Sequence, residues 1–388
     1  MHTELVKNKK KYSQNLLLIA VILAPFTELR FSMIGPSELI IFYCLFVQLF
    51  DKTRPYKLVN FRFTKFWILI LSLFIFSSII NTLFFSKYDI LDNWFDFVSY
   101  LLVFLTVYLF EKKNNLGQIS PFLFLKNFFY FFSFLLALLY GISFFTQSIL
   151  GMPLFYYERF APLVSNPHKI AIVTSVLPFF GLLILKQTKL KRKRFFVLIL
   201  ILLNIFISIL TVTDKAIIGL VLGFVILFVS KFTPKKLKKI FLYIFILVLI
   251  YVFVAFNLVG ILIDLFNTLD YKGGRSLIYS LGFNKIMLSP VIGYGFDSVI
   301  FVDGVKTDAH QTLFTVALQG GIIALILFSQ LLFDIIRKLK SNSVILLAGF
   351  MPLLIYILGG DIMRNNYVWI IIILMYYCSS NSNQNKLI

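Results

Sequence analysis

Long apolar runs alternate along this chain with short connections, and Lys and Arg crowd into every second connection. A run of about 20 apolar residues crosses the hydrocarbon core of a bilayer as a helix. No water is there to bond backbone N–H and C=O groups, so the helix, which pairs them internally, is the form such a run takes. The period-two alternation of a membrane-barrel strand is absent. Composition agrees: 60% of the 388 residues are hydrophobic and 14% are charged, against about 25% charged in a soluble domain. The chain is therefore expected to be all-α, a polytopic integral membrane protein with about 12 transmembrane helices.

The expected spans are 15–30, 36–50, 65–85, 93–110, 120–142, 166–185, 195–210, 216–230, 240–262, 311–333, 344–358 and 367–379. They form one transmembrane domain over 1–388, and no internal repeat divides it. Most of the 37 Lys and Arg fall on one set of alternate connections, in blocks such as Lys7–Lys11, Lys52–Lys65, Lys186–Arg194, Lys231–Lys239 and Arg337–Lys340. The remainder are Arg30, Lys87, Arg159, Lys169, Lys215, Lys272, Arg275, Lys285, Lys306 and Arg364. The positive-inside rule makes the first set cytoplasmic, together with both termini. Those basic connections set topology and meet anionic lipid headgroups. The N-terminus resembles a secretory signal without a small-residue cleavage site, and is read as an uncleaved first span.

The net charge of +20 would suit nucleic acid if it were gathered on one soluble face. Here it is divided among hydrophobic spans, so nucleic acid is excluded as a partner. Cys44 and Cys378 both lie in apolar runs and give neither a disulfide framework nor a metal site. No cofactor is expected.

One connection is large. Residues 263–310, between the ninth and tenth spans, form an extracytoplasmic loop rich in Gly and Asp. Leu277, Ile278, Leu281, Ile286 and Leu288 give a helical face. Pro290 ends that helix, and Gly293 and Gly295 mark a turn. Arg275 then sits near a helix N-terminus beside Gly273 and Gly274, an arrangement suited to phosphate. His310, at the mouth of the tenth span, is a candidate base near neutral pH; an interfacial or capping histidine is the competing reading. Asp308 either caps the tenth helix or orients the imidazole. Arg159 and Lys215 face the same side. A cation so near the hydrocarbon is a functional candidate, although Lys215 is also placed to pair with Asp214.

The stretch Arg275 … Ser289-Pro290-Val291-Ile292-Gly293-Tyr294-Gly295 … Asp308-Ala309-His310-Gln311-Thr312 … Gln319-Gly320-Gly321-Ile322 resembles the signature of the O-antigen ligase and O-antigen polymerase superfamily. Arg159 followed by Ser165-Asn166-Pro167-His168 is similar to that family's Arg and Asn-Pro entry into a span. Thr211-Val212-Thr213-Asp214-Lys215 resembles its Thr-x-Ser-Arg turn, with Lys in place of Arg and an added Asp.

The resemblance implies a metal-independent, inverting glycosyltransferase of the cytoplasmic membrane. Its donor would be a glycan on polyprenyl diphosphate, typically undecaprenyl diphosphate. It makes His310 and Arg275 catalytic, gives the diphosphate to Arg159, Arg275 and Lys215, and leaves Asp308, His168 and Asn166 in support. The expected activity is that of a capsule, exopolysaccharide or O-antigen polymerase. An O-antigen ligase with another acceptor and a lipid-linked oligosaccharide flippase are the alternatives. Expected partners are the lipid-linked oligosaccharide, membrane lipids, a flippase and a chain-length regulator.

Overall fold

The computed structural model describes residues 14–31, 34–49, 61–85, 94–231, 275–296, 300–302, 305–307, 309 and 311–381. The helices are α1 (Gln14–Leu23), α2 (Pro36–Leu49), α3 (Arg62–Phe85), α4 (Trp94–Asn115), α5 (Pro121–Ser143), α6 (His168–Gln187), α7 (Lys191–Leu210), α8 (Asp214–Lys231), α9 (Arg275–Leu288), α10 (Thr312–Asn342), α11 (Val344–Gly359) and α12 (Asn366–Asn381). Two small hairpins, β1–β2 (Ser148–Ile149, Met152–Pro153) and β3–β4 (Phe155–Tyr156, Arg159–Phe160), lie between α5 and α6. A third, β5–β6 (Ile300–Val302, Val305–Thr307), precedes α10.

The fold is all-α, and the helices α3, α5, α6, α7 and α10 are each long and apolar enough to cross a membrane. Every expected span but one coincides with a helix; the ninth, 240–262, lies outside the described residues. The two largest departures from the expected boundaries are at the first helix and at α10. The first helix stops at Leu23 instead of near residue 30, because Pro25 has no N–H to give and its ring disturbs the preceding turn. The chain continues as a short 3-10 turn, Thr27–Leu29. At the other extreme α10 continues to Asn342, since Ile335 and Leu339 prolong its buried stripe past the basic residues.

The core is built around α12. Tyr367 to Met375 are all buried, as expected of a helix apolar on every side. Trp369 meets Trp67 of α3 edge to face at 5.0 Å and stacks with Phe66 at 5.7 Å. Trp67 in turn packs on Tyr100 of α4 at 6.1 Å. On the far side α8 lies tightly on α11. A Cβ at Gly219 would stand 2.5 Å from Pro352 Cα, and one at Gly223 would stand 2.6 Å from the Ala348 carbonyl oxygen. Small residues four apart let two backbones approach where no hydrophobic force separates helix from lipid.

The connections fall at two ends of the bundle. The lower end gathers the start of α3, the end of α4 and the last turns of α10 and α12. There the Glu111 carboxylate takes the Phe63 N–H at 3.2 Å, and the Thr64 N–H and Oγ1 and the Tyr377 hydroxyl each at 2.7 Å. This carboxylate, with no exposure to solvent, satisfies the first N–H groups of α3 from another helix. Glu111→Ala strands those donors and is expected to cost about 3 kcal/mol, read as a lowered melting temperature in detergent. The upper end gathers the starts of α2, α4, α6, α8, α10 and α12 and the ends of α5, α7 and α11. Arg159, Asn166, His168 and Lys215 belong to this second set of connections.

Candidate functional site

Three of the sequence motifs meet at the C-terminus of α11. Its last carbonyls have no partner within the helix, and other segments supply the donors. Lys215 Nζ, from the first turn of α8, donates to the Gly359 carbonyl. Gln311, the residue after His310 in the chain, donates through Nε2 to Leu358 O at 2.8 Å. Thr312 N–H and Oγ1 both donate to Gly360 O, at 2.8 and 2.7 Å. One turn earlier, the Tyr356 ring faces the His168 ring edge-on at 6.2 Å. A cation at a helix C-terminus also meets the negative end of the helix dipole. The α11 terminus therefore ties together segments that are about a hundred residues apart in the chain.

The turn that carries Lys215 is strained. Val212 has φ 45°, a left-handed conformation that a β-branched residue rarely adopts. Such strain persists only where surrounding contacts hold it, and here Thr211 and Thr213 are buried to either side.

Arg159 is half-buried on β4, paired in register with Tyr156. The two-residue turn between them is Tyr157-Glu158, with φ 45° and 63°. That conformation normally requires Asn or Gly, so a second strained turn adjoins a candidate cation. Phe160 anchors the strand on Tyr140, which also meets Phe206 of α7. The Arg159 guanidinium makes no hydrogen bond or ion pair among the described residues. Asn166 acts locally: its Oδ1 accepts the His168 N–H at 2.9 Å and shapes the entry into α6. Arg275 opens α9 as expected. Its side chain lies outside the described residues, as do Asp308 and His310.

The turn after α9 does more than reverse the chain. Helix α10 is broken at Gly321, with φ 61° and ψ −157°. The break frees two carbonyls above it and two N–H groups below it, and segment 290–295 takes up all four. Tyr294 and Gly295 N–H donate to Leu318 O and Gln319 O, each at 2.7 Å, while Ile322 and Ile323 N–H donate to Pro290 O and Val291 O at 2.9 and 3.5 Å. From α3, Asn81 Nδ2 donates to Gly293 O at 2.9 Å, Ser77 Oγ donates to Ile292 O, and Ser78 Oγ accepts the Phe296 N–H at 3.0 Å. Gly293 to Phe296 are buried. A residue seven to nine positions into α10 lies about 12 Å below its start, so part of the expected external loop enters the bundle. Irregular backbone is tolerated at that depth because protein satisfies it.

This insertion fixes the parts that follow it. Ile278 of α9, Ile300 of β5, Ala309 and Leu318 form one buried cluster. The helix begun by Arg275 and the residue before His310 thus rest on the same broken helix.

Sequence reasoning identified the turn, the glycine pair and the individual cations. It missed the α11 terminus as their meeting point, since Leu358-Gly359-Gly360 carries no chemical side chain. It also missed Ser77 and Asn81, two polar residues in an apolar run, which could have been read as partners for irregular backbone. Arg30 and Arg364 were seen only as outer cations, whereas each is held by carboxylates: Arg30 by Glu38 at 2.6 Å, Arg364 by Asp96 at 2.7 Å and Asp361 at 3.5 Å.

No curated protein matches the chain. The family described as O-antigen ligase matches residues 196–329, a stretch that starts in α7 and includes Lys215, Arg275, the broken helix and its inserted turn. Over that stretch, about a third of the 388 residues, the chain is similar to the O-antigen ligase family.

Proposed function

We propose that this protein is a polysaccharide polymerase of the cytoplasmic membrane. It transfers a growing glycan from polyprenyl diphosphate to a lipid-linked repeat unit at the outer face. The observation that carries this reading is the convergence at the α11 terminus. The Lys215 turn and the segment that begins just after His310 are bonded to Leu358–Gly360, with His168 alongside. The family match over residues 196–329 supports the same chemistry.

The charge pattern places the upper end outside, with both termini and the basic connections in the cytosol. The 263–310 segment is then extracytoplasmic and carries part of the site. The lipid tail lies among the spans, and the diphosphate meets Arg159 and Arg275. Lys215, whose ammonium donates a hydrogen bond to Gly359 O, adds a third cation on the same side. His310 takes the proton of the acceptor hydroxyl as its oxygen attacks the anomeric carbon. The carbon–oxygen bond to the diphosphate breaks, and the cations stabilise the departing charge. Attack opposite the leaving group inverts the anomeric centre. Asp308 orients His310, while Asn166 and His168 hold the entry to α6.

The test is incubation of the purified protein with its lipid-diphosphate repeat unit, with products resolved by size. A ladder of repeats is expected. The family description names ligases, and transfer to an added lipid A core without a ladder would make that the activity instead. Arg275→Lys keeps the charge but loses the two-pronged donor geometry, so ladder formation should slow by about 10²-fold.

A further inference from the structure

A shallow hollow of about 60 Å³ opens at the upper end between α2, α4 and α12, lined by Arg30, Glu38, Phe95, Ser99, Arg364 and Asn366. Leu102 and Val103 give it an apolar floor. We infer that this hollow is a sugar subsite, which takes the hydroxyl-bearing edge of one residue of the acceptor glycan. The inference rests on the glycan-transfer reading above and assigns a place to its second substrate.

The charges argue against an anion. Arg30 is bound to Glu38 at 2.6 Å, and the other oxygen of Glu38 accepts the Gly35 N–H at 3.0 Å. Arg364 lies between Asp96 and Asp361. With the neighbouring Lys169 and Glu28 included, three cations face four carboxylates, and a phosphate entering here would meet no surplus of positive charge.

A hydroxyl group suits the same walls. It donates and accepts at once, so it needs neighbours of both kinds. A guanidinium has five N–H donors and a carboxylate about four acceptor sites; Arg30 donates to Glu38, and Glu38 accepts from Arg30 and from the Gly35 N–H. Ser99 and Asn366 add a hydroxyl and an amide. The Phe95 side chain, 49% exposed, offers an apolar ring to the C–H face of a pyranose. The paired side chains are 3–28% exposed, and hydrogen bonds made in so poorly hydrated a rim are stronger than in water. The size of the hollow admits one edge of a ring and leaves the rest of the glycan outside.

Its location fits an acceptor. The short connection from Gly360 to Asn366 separates the hollow from the α11 terminus: Gly360 holds Thr312 on one side and Arg364 lines the hollow on the other. Thr27 and Ser165, joined through their hydroxyls at 3.3 Å, tie the segment before α2 to the entry of α6. A sugar seated in the hollow therefore lies at the same end of the bundle as the α11 terminus.

The experiment uses full-length protein in nanodiscs and saturation-transfer NMR. The probe is the free oligosaccharide repeat unit released from the host polysaccharide by mild acid, with glycerol phosphate as the anionic headgroup control. Wild type should give a glycan signal that glycerol phosphate does not displace. Ser99→Phe fills the hollow and should abolish the signal, Phe95→Ala should weaken it, and Ser99→Ala should keep it. In the polymerisation assay Ser99→Phe should raise KM for the lipid-linked repeat about tenfold with kcat nearly unchanged. A Ser99→Phe protein that melts like wild type and still binds the glycan overturns the proposal. Displacement by glycerol phosphate overturns it in favour of a lipid-headgroup site. Glycan binding by a wild-type protein that makes no polymer would sink the polymerase reading and leave the subsite standing. Full-rate polymerisation by Ser99→Phe would do the reverse.

Discussion

His310→Ala is expected to abolish polymer formation while the protein still folds and inserts. A positioned general base contributes about 10²–10⁴ in rate, or about 3–5 kcal/mol of barrier. The fold should survive because the flanking residues are held independently. Ala309 is buried against Ile278, Ile300 and Leu318, and Thr312 is bonded to Gly360. A size ladder from purified His310→Ala protein that matches wild type would remove histidine from the mechanism.

Gly321→Ala is expected to be as damaging to activity, through the fold. The position has φ 61° and ψ −157°, a region essentially restricted to glycine. A Cβ there would stand 2.2 Å from the Val291 carbonyl oxygen and 2.3 Å from its carbon. Both obstacles are backbone, in a segment fixed by bonds to α3 and α10, so neither can step aside alone. Expulsion of the turn would leave four backbone groups unpaired at membrane depth, each costing on the order of 1–3 kcal/mol. A total loss above about 4 kcal/mol is expected, seen as poor yield or a much lowered melting temperature. Gly117 is the control. It too has positive φ, 62°, but nothing lies within 4 Å of its would-be Cβ. Gly117→Ala should therefore cost only about 1 kcal/mol. Equal effects at the two positions would show that the inserted turn is not held as described.

Much of the architecture is legible because its causes are local. Span length follows from hydrophobic length and α9 ends before Pro290, whereas the first helix ends earlier than its apolar run and α10 continues past its basic residues. Eleven helices accordingly fall where apolar runs place them, and α9 appears where Leu277 to Leu288 outline a helical face. The candidate site was legible as a set of residues but not as an arrangement. Lys215 reads as a diphosphate ligand or an Asp214 partner, and nothing nearby in sequence points to a bond with a carbonyl 144 residues away. The pair Gly320-Gly321 is visible in a span, yet a helix opens there only if another segment supplies the missing hydrogen bonds.

The sequence by itself thus determined how many times an apolar segment recurs, which connections share a side, and which few ionisable groups lie off the basic face. Those properties depend on each segment's own transfer from water and on charge near its ends. The tertiary structure alone decided that α12 lies at the centre, that residues 290–296 enter a broken helix, and that three motifs close on the α11 terminus. Each of these depends on backbone groups finding partners across the bundle, and a peptide carbonyl carries the same chemistry at every position of the chain.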